Sequence, residues 1–319
     1  MSEITLSIVT YNQSELLKKF VEVYLDCQDS SPSKTSLLII NDGSTDQTKE
    51  YIHQLSLKHP LIIIYNGEHH GISHARNTAL KLCPTRWVAF TDTDCILDKD
   101  YFNTLRLIPS LYPNKTAIEG RVLPEKFNPS NSFTHKMSNT QGGMFTTANM
   151  IFNVAKTLEL GAFDEEFINY REDIDLGLKI NSKDPIPFFS QLKITHPNLP
   201  RHLATEIFKT VQRTKNIILS EHLLYHKHPQ MYQTVRFQKN ATRTLDAFCK
   251  KNSFTQIRQF LFLYRKHYRS NPDNQQLKHF PHIIFSGFRV TFLALWEQLI
   301  FNYFTFKLKR KMRVNHSES

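Results

Sequence analysis

The chain has 319 residues, 40% apolar and 22% charged, enough for one large or two modest domains with a real core, which excludes a coreless polymer. Its four cysteines, Cys27, Cys83, Cys95 and Cys249, are scattered without a Cys-x-x-Cys pair, which excludes a cysteine metal knuckle and favours a reducing compartment. The net charge of +11 is uneven, about −4 over residues 1–200 and +15 over residues 201–319, so a neutral-to-acidic working region precedes a basic region suited to nucleic acid or an anionic membrane.

The first strand is expected at Ile4 to Val9. Met1-Ser2-Glu3 is not basic and the following residues alternate like a strand, so no signal peptide is expected and a cytoplasmic location is. Thr10-Tyr11-Asn12 follows, then a helix with Ser14 as cap candidate and Leu16, Leu17, Phe20, Val21 and Tyr24 at helical spacing. Leu37 to Ile40 is four aliphatics without alternation, the pattern of a strand covered on both faces. It runs into Asn41-Asp42-Gly43-Ser44-Thr45-Asp46, where Gly43 permits a tight turn and Ser44, Thr45 or Asp46 can cap the next helix. A third strand is expected at Leu61 to Tyr65, then Gly67, Gly71 and a helix through Ala75-Arg76-Asn77.

Trp87 to Phe90 is short, bulky and aromatic, suited to a buried strand. It drives into Thr91-Asp92-Thr93-Asp94. Two carboxylates one residue apart at the outgoing end of a strand can share a hard divalent cation and a phosphate-bearing ligand; a solvated turn reads the same alone. Four strands alternating with three helices over the first 97 residues argue for a three-layer, mainly parallel α/β sheet, whose polar strand ends gather at one edge.

Residues 111–146, with Pro113, Pro124, Pro129 and Gly142-Gly143, read as irregular, a loop able to cover a ligand. Phe145 to Phe152 reads as extended and Val154 to Leu160 as a helix ended by Gly161. Arg171 to Gly177 opens another helix; its acidic residues suit a first helical turn by the dipole alone.

Taken in order, Thr10-Tyr11-Asn12, Asn41-Asp42-Gly43-Ser44-Thr45-Asp46, Gly71-x-x-x-Ala75-Arg76-Asn77, Asp92-x-Asp94, Thr147-Ala148-Asn149-Met150, Gly161-x-Phe163-Asp164-Glu165 and Glu172-Asp173-x-Asp175-Leu176-Gly177 resemble a family 2 glycosyltransferase of GT-A fold over roughly residues 4–200. Asn41 departs from the Asp usual there, which leaves Asp42 as the better nucleoside contact. The resemblance implies an inverting transfer from a nucleotide-sugar, by family a UDP-sugar, to a glycan hydroxyl. Asp173 is the implied general base, with Glu172 supporting the acceptor or the helix. Thr10, Tyr11, Asn12, Asp42, Arg76, Asp92 and Thr93 are implied for the nucleotide-sugar. Asp94, Asp92 and His196 are implied for a divalent metal, Mn²⁺ or Mg²⁺. Structural roles stand open for His196 and for Arg76, which suits a diphosphate by its planar fork. Cys95 is read as packing, since a soft thiolate suits neither ion.

The expected division is a catalytic domain over residues 1–203, with halves meeting near residue 97, a helical extension over 204–280 and an aromatic, basic stretch over 281–319. Phe288 to Phe306 is interrupted by Arg289 and Glu297 and followed by Lys307, Lys309, Arg310, Lys311 and Arg313. About 19 residues barely span a bilayer at 1.5 Å each, so an in-plane helix on an anionic membrane is expected, peripheral at the inner face of the plasma membrane. A core or homo-oligomer helix is the alternative; no nucleic-acid module is recognisable. A lipid-linked surface-polysaccharide intermediate is the acceptor expected from this segment. Rival readings are a sugar-nucleotide nucleotidyltransferase, disfavoured because Thr10-Tyr11-Asn12-Gln13 is no Gly-rich basic loop, and a non-catalytic nucleotide-binding scaffold.

Overall fold

The computed structural model describes residues 3–29, 34–125, 137–167 and 169–197, together with Asn216, Ser220, Leu223, Leu224, Lys227 and His228. The chain divides into two units, Met1–Pro200 and Arg201–Ser319. Apart from those six residues, the expected helical extension and the aromatic, basic stretch lie outside the described residues. Among the described residues no helix is long and apolar enough to cross a membrane.

The first half alternates as the sequence pattern requires. It runs β1 (Ile4–Thr10), α1 (Ser14–Asp29), β2 (Leu37–Asn41), α2 (Thr48–Lys58), β3 (Ile62–Asn66), α3 (Ile72–Leu82) and β4 (Trp87–Phe90). The second half adds β5 (Ile96–Leu97), α4 (Tyr101–Leu105), α5 (Ile108–Leu111), β6 (Ala117–Pro124), a 3₁₀ turn at Thr147–Asn149, β7 (Met150–Asn153), α6 (Val154–Glu159), α7 (Glu172–Lys183) and β8 (Phe188–His196).

The eight strands of the described residues join one sheet in the order β3-β2-β1-β4-β7-β6-β8-β5. The first four pair in parallel, β7 is antiparallel to β4 and β6, and β8 is parallel to β6 and antiparallel to β5. The chain winds outward from β1 through β2 to β3 and then returns to place β4 on the other side of β1. In open α/β sheets such a reversal marks the carboxyl ends of the strands on either side of it, here β1 and β4, as the place where ligands bind.

The unbroken aliphatic run of β2 is explained by cover on both faces. Leu37 and Ile39 join Leu17, Phe20 and Tyr24 of α1, Ile52 of α2 and Phe102 of α4. Leu38 and Ile40 join Ala75, Ala79 and Leu80 of α3 and Leu176 and Ile180 of α7. The same alternation splits Trp87 and Ala89 from Val88 and Phe90, so the strand leading to the paired carboxylates is fixed from both sides.

Two helix starts share one residue. Ser14 is the first residue of α1 rather than its cap, and its N–H donates to Asp46 Oδ2 at 3.1 Å. Asp46 Oδ1 also accepts from Thr48 N at 3.0 Å at the start of α2. Burial works to raise the Asp46 carboxyl, but these donors outweigh it and hold it below the usual carboxylate range.

The stretch expected to be a loop, residues 111–146, instead contains β6, which lies inside the sheet between β7 and β8. The expected extended segment Phe145 to Phe152 likewise begins with the 3₁₀ turn, and only Met150–Asn153 is strand. Glu119 masks β6 in the sequence, being a charged residue at a strand centre that is 1% exposed. Its carboxylate is satisfied from a distant segment: it accepts from Gly143 N at 2.6 Å, Met144 N at 3.0 Å, Phe145 N at 2.5 Å and Asn139 Nδ2 at 2.7 Å. Positive φ at Gly142, Gly143 and Phe145 turns these N–H groups inward as an anion-binding nest. Burial still pushes the Glu119 carboxyl above its ordinary range, against the pull of those donors.

The pinned segment also seats α7. A Cβ at Gly177 would lie 2.3 Å from Phe145 Cβ, so the helix bearing Glu172 and Asp173 rests directly on the residue that Glu119 holds. Glu119→Ala orphans at least the buried Phe145 N–H and Asn139 amide, at about 1–3 kcal/mol each. The expected result is a loss of about 2–4 kcal/mol in urea unfolding. A loss under about 0.5 kcal/mol, the scale of an ordinary surface substitution, contradicts the anchoring role.

Candidate functional site

Three clusters lie along the carboxyl edge of the parallel strands. The first is built on β1 and β2. Tyr11 is 40% exposed just beyond β1, and its ring stacks on His69 at 3.9 Å between centroids and 12° between planes. Asp42, just beyond β2, is nearly buried, and donors converge on its carboxylate. His70 N donates to Oδ1 at 3.0 Å and Gly71 N to Oδ2 at 3.1 Å; His69 Nδ1 lies 2.7 Å from Oδ2. A cavity of about 220 Å³ opens beside it, lined in part by Asn41, Asp42, Tyr65, His70 and Thr78.

Thr10 and Asn12 serve the framework of this cluster. Thr10 is buried at the end of β1 and its carbonyl accepts from Asp42 N at 3.0 Å. Asn12 sits at φ 53, and its Oδ1 accepts from Thr45 N at 2.7 Å, clamping the loop after β2. Asn41 uses both ends of its amide: Oδ1 accepts from Ser44 N at 3.1 Å and Nδ2 donates to Asn66 Oδ1 at 2.9 Å. An Asp there cannot donate the second bond and needs the Asn66 amide turned round to donate instead.

The second cluster joins Asp92, Asp94, Cys95 and His196, whose ligand atoms all lie within 4.8 Å of one another. Strand pairing brings it together. β5 follows Cys95 directly, and its Ile96 pairs antiparallel with Thr195 of β8, which carries His196 into register with Cys95 and beside Asp94. His196 Nε2 lies 3.8 Å from Asp94 Oδ2, while Nδ1 lies 3.0 Å from the Pro197 carbonyl. A carbonyl only accepts, so Nδ1 donates there and Nε2 is the nitrogen that faces the cluster. The donor set of two carboxylates and one imidazole fits a divalent cation such as Mn²⁺ or Mg²⁺. Burial, with the charges of Asp92 and Asp94, drives the Cys95 thiol far above its ordinary range, so it stays protonated and packs. Thr93 is buried, and its hydroxyl donates to Gln13 Oε1 at 2.5 Å, tying this turn to the loop after β1.

The third cluster links the two halves of the sheet. Arg76 of α3 is 6% exposed. Its Nη1 contacts Glu172 Oε1 at 2.5 Å and its Nη2 lies 3.6 Å from Asp92 Oδ1. Its guanidinium also lies 5.7 Å from the centre of the Phe163 ring. Arg76, a diphosphate candidate for which a structural role was also open, faces these carboxylates. Burial raises the Glu172 carboxyl, the Asp173 charge adds to that, and Arg76 opposes both. Burial likewise raises Asp92, with Arg76 again opposing; its side chain is 38% exposed, so water relieves part of the effect. Asp173 is half-buried in the first turn of α7 and accepts from its neighbour Ile174 N at 2.8 Å. Arg171, just before it, is left-handed at φ 76, which sets the angle at which α7 starts.

Three other motif residues, Asn77, Phe163 and Glu165, make framework contacts. Asn77 Nδ2 donates to the Phe163 carbonyl at 2.9 Å and to Glu165 Oε1 at 2.8 Å, and its Oδ1 accepts from Phe163 N at 2.9 Å. This ties α3 to the segment before α7 and explains why Ala75-Arg76-Asn77 and Phe163-Asp164-Glu165 occur together. Sequence reasoning missed His69, Gln13 and Glu119. The position of His69 was readable in principle, since it follows β3 at the same edge; its orientation comes from contacts with distant residues.

Residues 5–153 match the family model described as Glycosyl transferase family 2. The chain is 27% identical over 193 residues to a poly-beta-1,6-N-acetyl-D-glucosamine synthase of Staphylococcus aureus, covering 56% of this chain and 45% of that protein. It is 33% identical over 107 residues to the glycosyltransferase GlyA of Streptococcus pneumoniae, covering 32% of this chain and 14% of that one. The chain thus spans under half the length of the curated relatives it matches. Among solved structures it is similar to S. aureus TarS in complex with UDP-GlcNAc, with TM-score 0.51, 16% identity and coverage of 77% and 78%. It is also similar to the mannosyltransferase PcManGT of Pyrobaculum calidifontis in complex with GDP-Man and Mn²⁺, with TM-score 0.54, 16% identity and coverage of 93% and 88%. At these identities the structures share the fold, which is GT-A.

Proposed function

We propose that this chain, which carries a family 2 glycosyltransferase domain, moves a sugar from a nucleotide-sugar, by preference a UDP-sugar, to a hydroxyl of a glycan with inversion at the anomeric carbon. The observation that carries this reading is the meeting, at the carboxyl edge of the sheet, of a planar-ring site at Tyr11 and Asp42, a cation-type cluster at Asp92, Asp94 and His196, and Asp173 from the other half. The complexes of TarS with UDP-GlcNAc and of PcManGT with GDP-Man support a nucleotide-sugar donor, and the polysaccharide synthase relatives support a glycan acceptor. A lipid-linked acceptor and attachment to an anionic membrane rest on the sequence of residues 288–319 alone.

Asp173 takes the proton from the acceptor hydroxyl as that oxygen attacks the anomeric carbon. The new bond forms as the bond from the anomeric carbon to the diphosphate oxygen breaks, and the nucleoside diphosphate leaves. Glu172 stays paired to Arg76 and fixes the first turn of α7, so Asp173 is held by packing rather than by its own reach. Asp94, with Asp92 and His196, would hold the divalent cation. That cation supplies positive charge against the diphosphate leaving group. Asp42 and Tyr11 hold the base end of the donor, and the clamped loop at Asn12 and Thr93 keeps the edge rigid between them.

A calorimetric titration with UDP tests the donor half. UDP binds in Mn²⁺, chelation weakens it by about tenfold or more, and Asp94→Asn reproduces that loss with Mn²⁺ present. Equal affinity with and without the ion removes the metal from the proposal.

A further inference from the structure

The contacts of His69 show what the slot beside Tyr11 recognises. Its imidazole lies flat on the Tyr11 ring, at 3.9 Å and 12°. Its Nδ1 is 2.7 Å from Asp42 Oδ2 and 3.2 Å from the Asp42 carbonyl. Both neighbours are acceptors, so Nδ1 carries a hydrogen and donates. The slot thus offers a π face and, at its end, a carboxylate acceptor. A planar ring with a ring N–H completes it.

The main chain around His69 is tied to the turn after β2 by contacts that do not involve its side chain. Gly67 N donates to the Asn41 carbonyl at 2.9 Å, and His70 N and Gly71 N donate to Asp42. Gly43, at φ 73, packs so closely that a Cβ there would lie 2.5 Å from His69 N. The loop is therefore pressed onto the turn after β2, and lifting it as a unit breaks all of these contacts. The His69 side chain is 47% exposed, so it can leave by a change of rotamer alone, at a cost of order that of one ring stack and one hydrogen bond.

We propose that His69 is a built-in placeholder for the donor's nucleobase: the imidazole occupies the slot between Tyr11 and Asp42, and the base of a nucleoside diphosphate displaces it and repeats its two contacts. This rests on the nucleotide-sugar reading above. It also fixes a specificity. Uracil and guanine carry a ring N–H that replaces that of the imidazole. Cytosine and adenine set a bare ring nitrogen against the carboxylate, which leaves two acceptors facing each other. His69 thus taxes every donor, and Asp42 rejects bases without the ring N–H.

The test is calorimetric titration of the full chain with UDP and CDP in Mn²⁺, for the wild type, His69→Ala and His69→Gln. Removing a competitor from the slot tightens UDP binding, and we expect His69→Ala to bind UDP about three- to tenfold more tightly than wild type. His69→Gln keeps an N–H for Asp42 but no ring for Tyr11, and falls between the two. CDP stays weaker than UDP in all three. Weaker or unchanged UDP binding in His69→Ala overturns the placeholder, the weaker result making His69 a second wall around the base. CDP binding equal to UDP overturns the ring N–H requirement. Each of these leaves the glycosyltransferase reading intact if UDP-sugar turnover persists; no nucleotide binding by any of the three proteins overturns both.

Discussion

Asp173→Asn loses glycosyl transfer, with kcat falling by about 10²–10⁴-fold, the range general-base catalysis supplies, while UDP binding in Mn²⁺ stays within about twofold of wild type. The amide has nearly the shape of the carboxylate and can still accept from Ile174 N, which the native side chain does at 2.8 Å, so α7 keeps its start. It cannot take a proton from an attacking hydroxyl. The split between lost turnover and kept binding separates a base from a structural residue. A structural role lowers thermal stability and binding together. If Asp173→Asn keeps more than about a tenth of wild-type turnover, the base is elsewhere.

Arg76→Ala destabilises the fold by about 3–5 kcal/mol, as expected when one partner of a buried ion pair is removed and the other is left behind. Arg76 and Glu172 are 8% and 6% exposed in their side chains, and the pair joins α3 of the nucleotide half to α7 of the acceptor half. Without Arg76, the burial and the Asp173 charge that already raise the Glu172 carboxyl act unopposed, so Glu172 takes up a proton or the helix start shifts. Arg76→Lys restores part of the stability only, because one ammonium does not reproduce a fork spanning Glu172 and Asp92. Arg76→Met with Glu172→Gln removes both charges and regains most of it. Urea unfolding measures all three. A loss under about 1 kcal/mol for Arg76→Ala, the range of exposed pairs, contradicts the role assigned to the pair.

The nucleotide half was legible because β1, β2 and β4 are buried on both faces and its turns carry local signals. Leu37 to Ile40 has one reading as a covered strand, and Gly43 and Asp46 mark the turn and the cap within a few residues. The second half was less legible because its order comes from distant partners. β6 has Glu119 and Gly120 at its centre, and nothing near Glu119 in sequence announces the nest formed by Gly143, Met144 and Phe145. His196 meets Asp94 only through the pairing of β5 with β8. Arg76 and Glu172 were each readable as site residues from their motifs, but their pairing joins two helices 96 positions apart. The stacking of His69 on Tyr11 is of the same kind, because side-chain orientation at a loop has no period in the sequence.

The central claim is that the clusters along one sheet edge form a single donor site for sugar transfer. Release of nucleoside diphosphate tests it most directly: the full chain with a panel of UDP-sugars, UDP-GlcNAc first, in Mn²⁺ or Mg²⁺, with a glycan or membrane-extract acceptor. The account predicts UDP release with at least one donor, abolished by chelation and by Asp94→Asn. Absence of release from every donor with both ions and both acceptors, by protein that is folded and binds UDP, contradicts it.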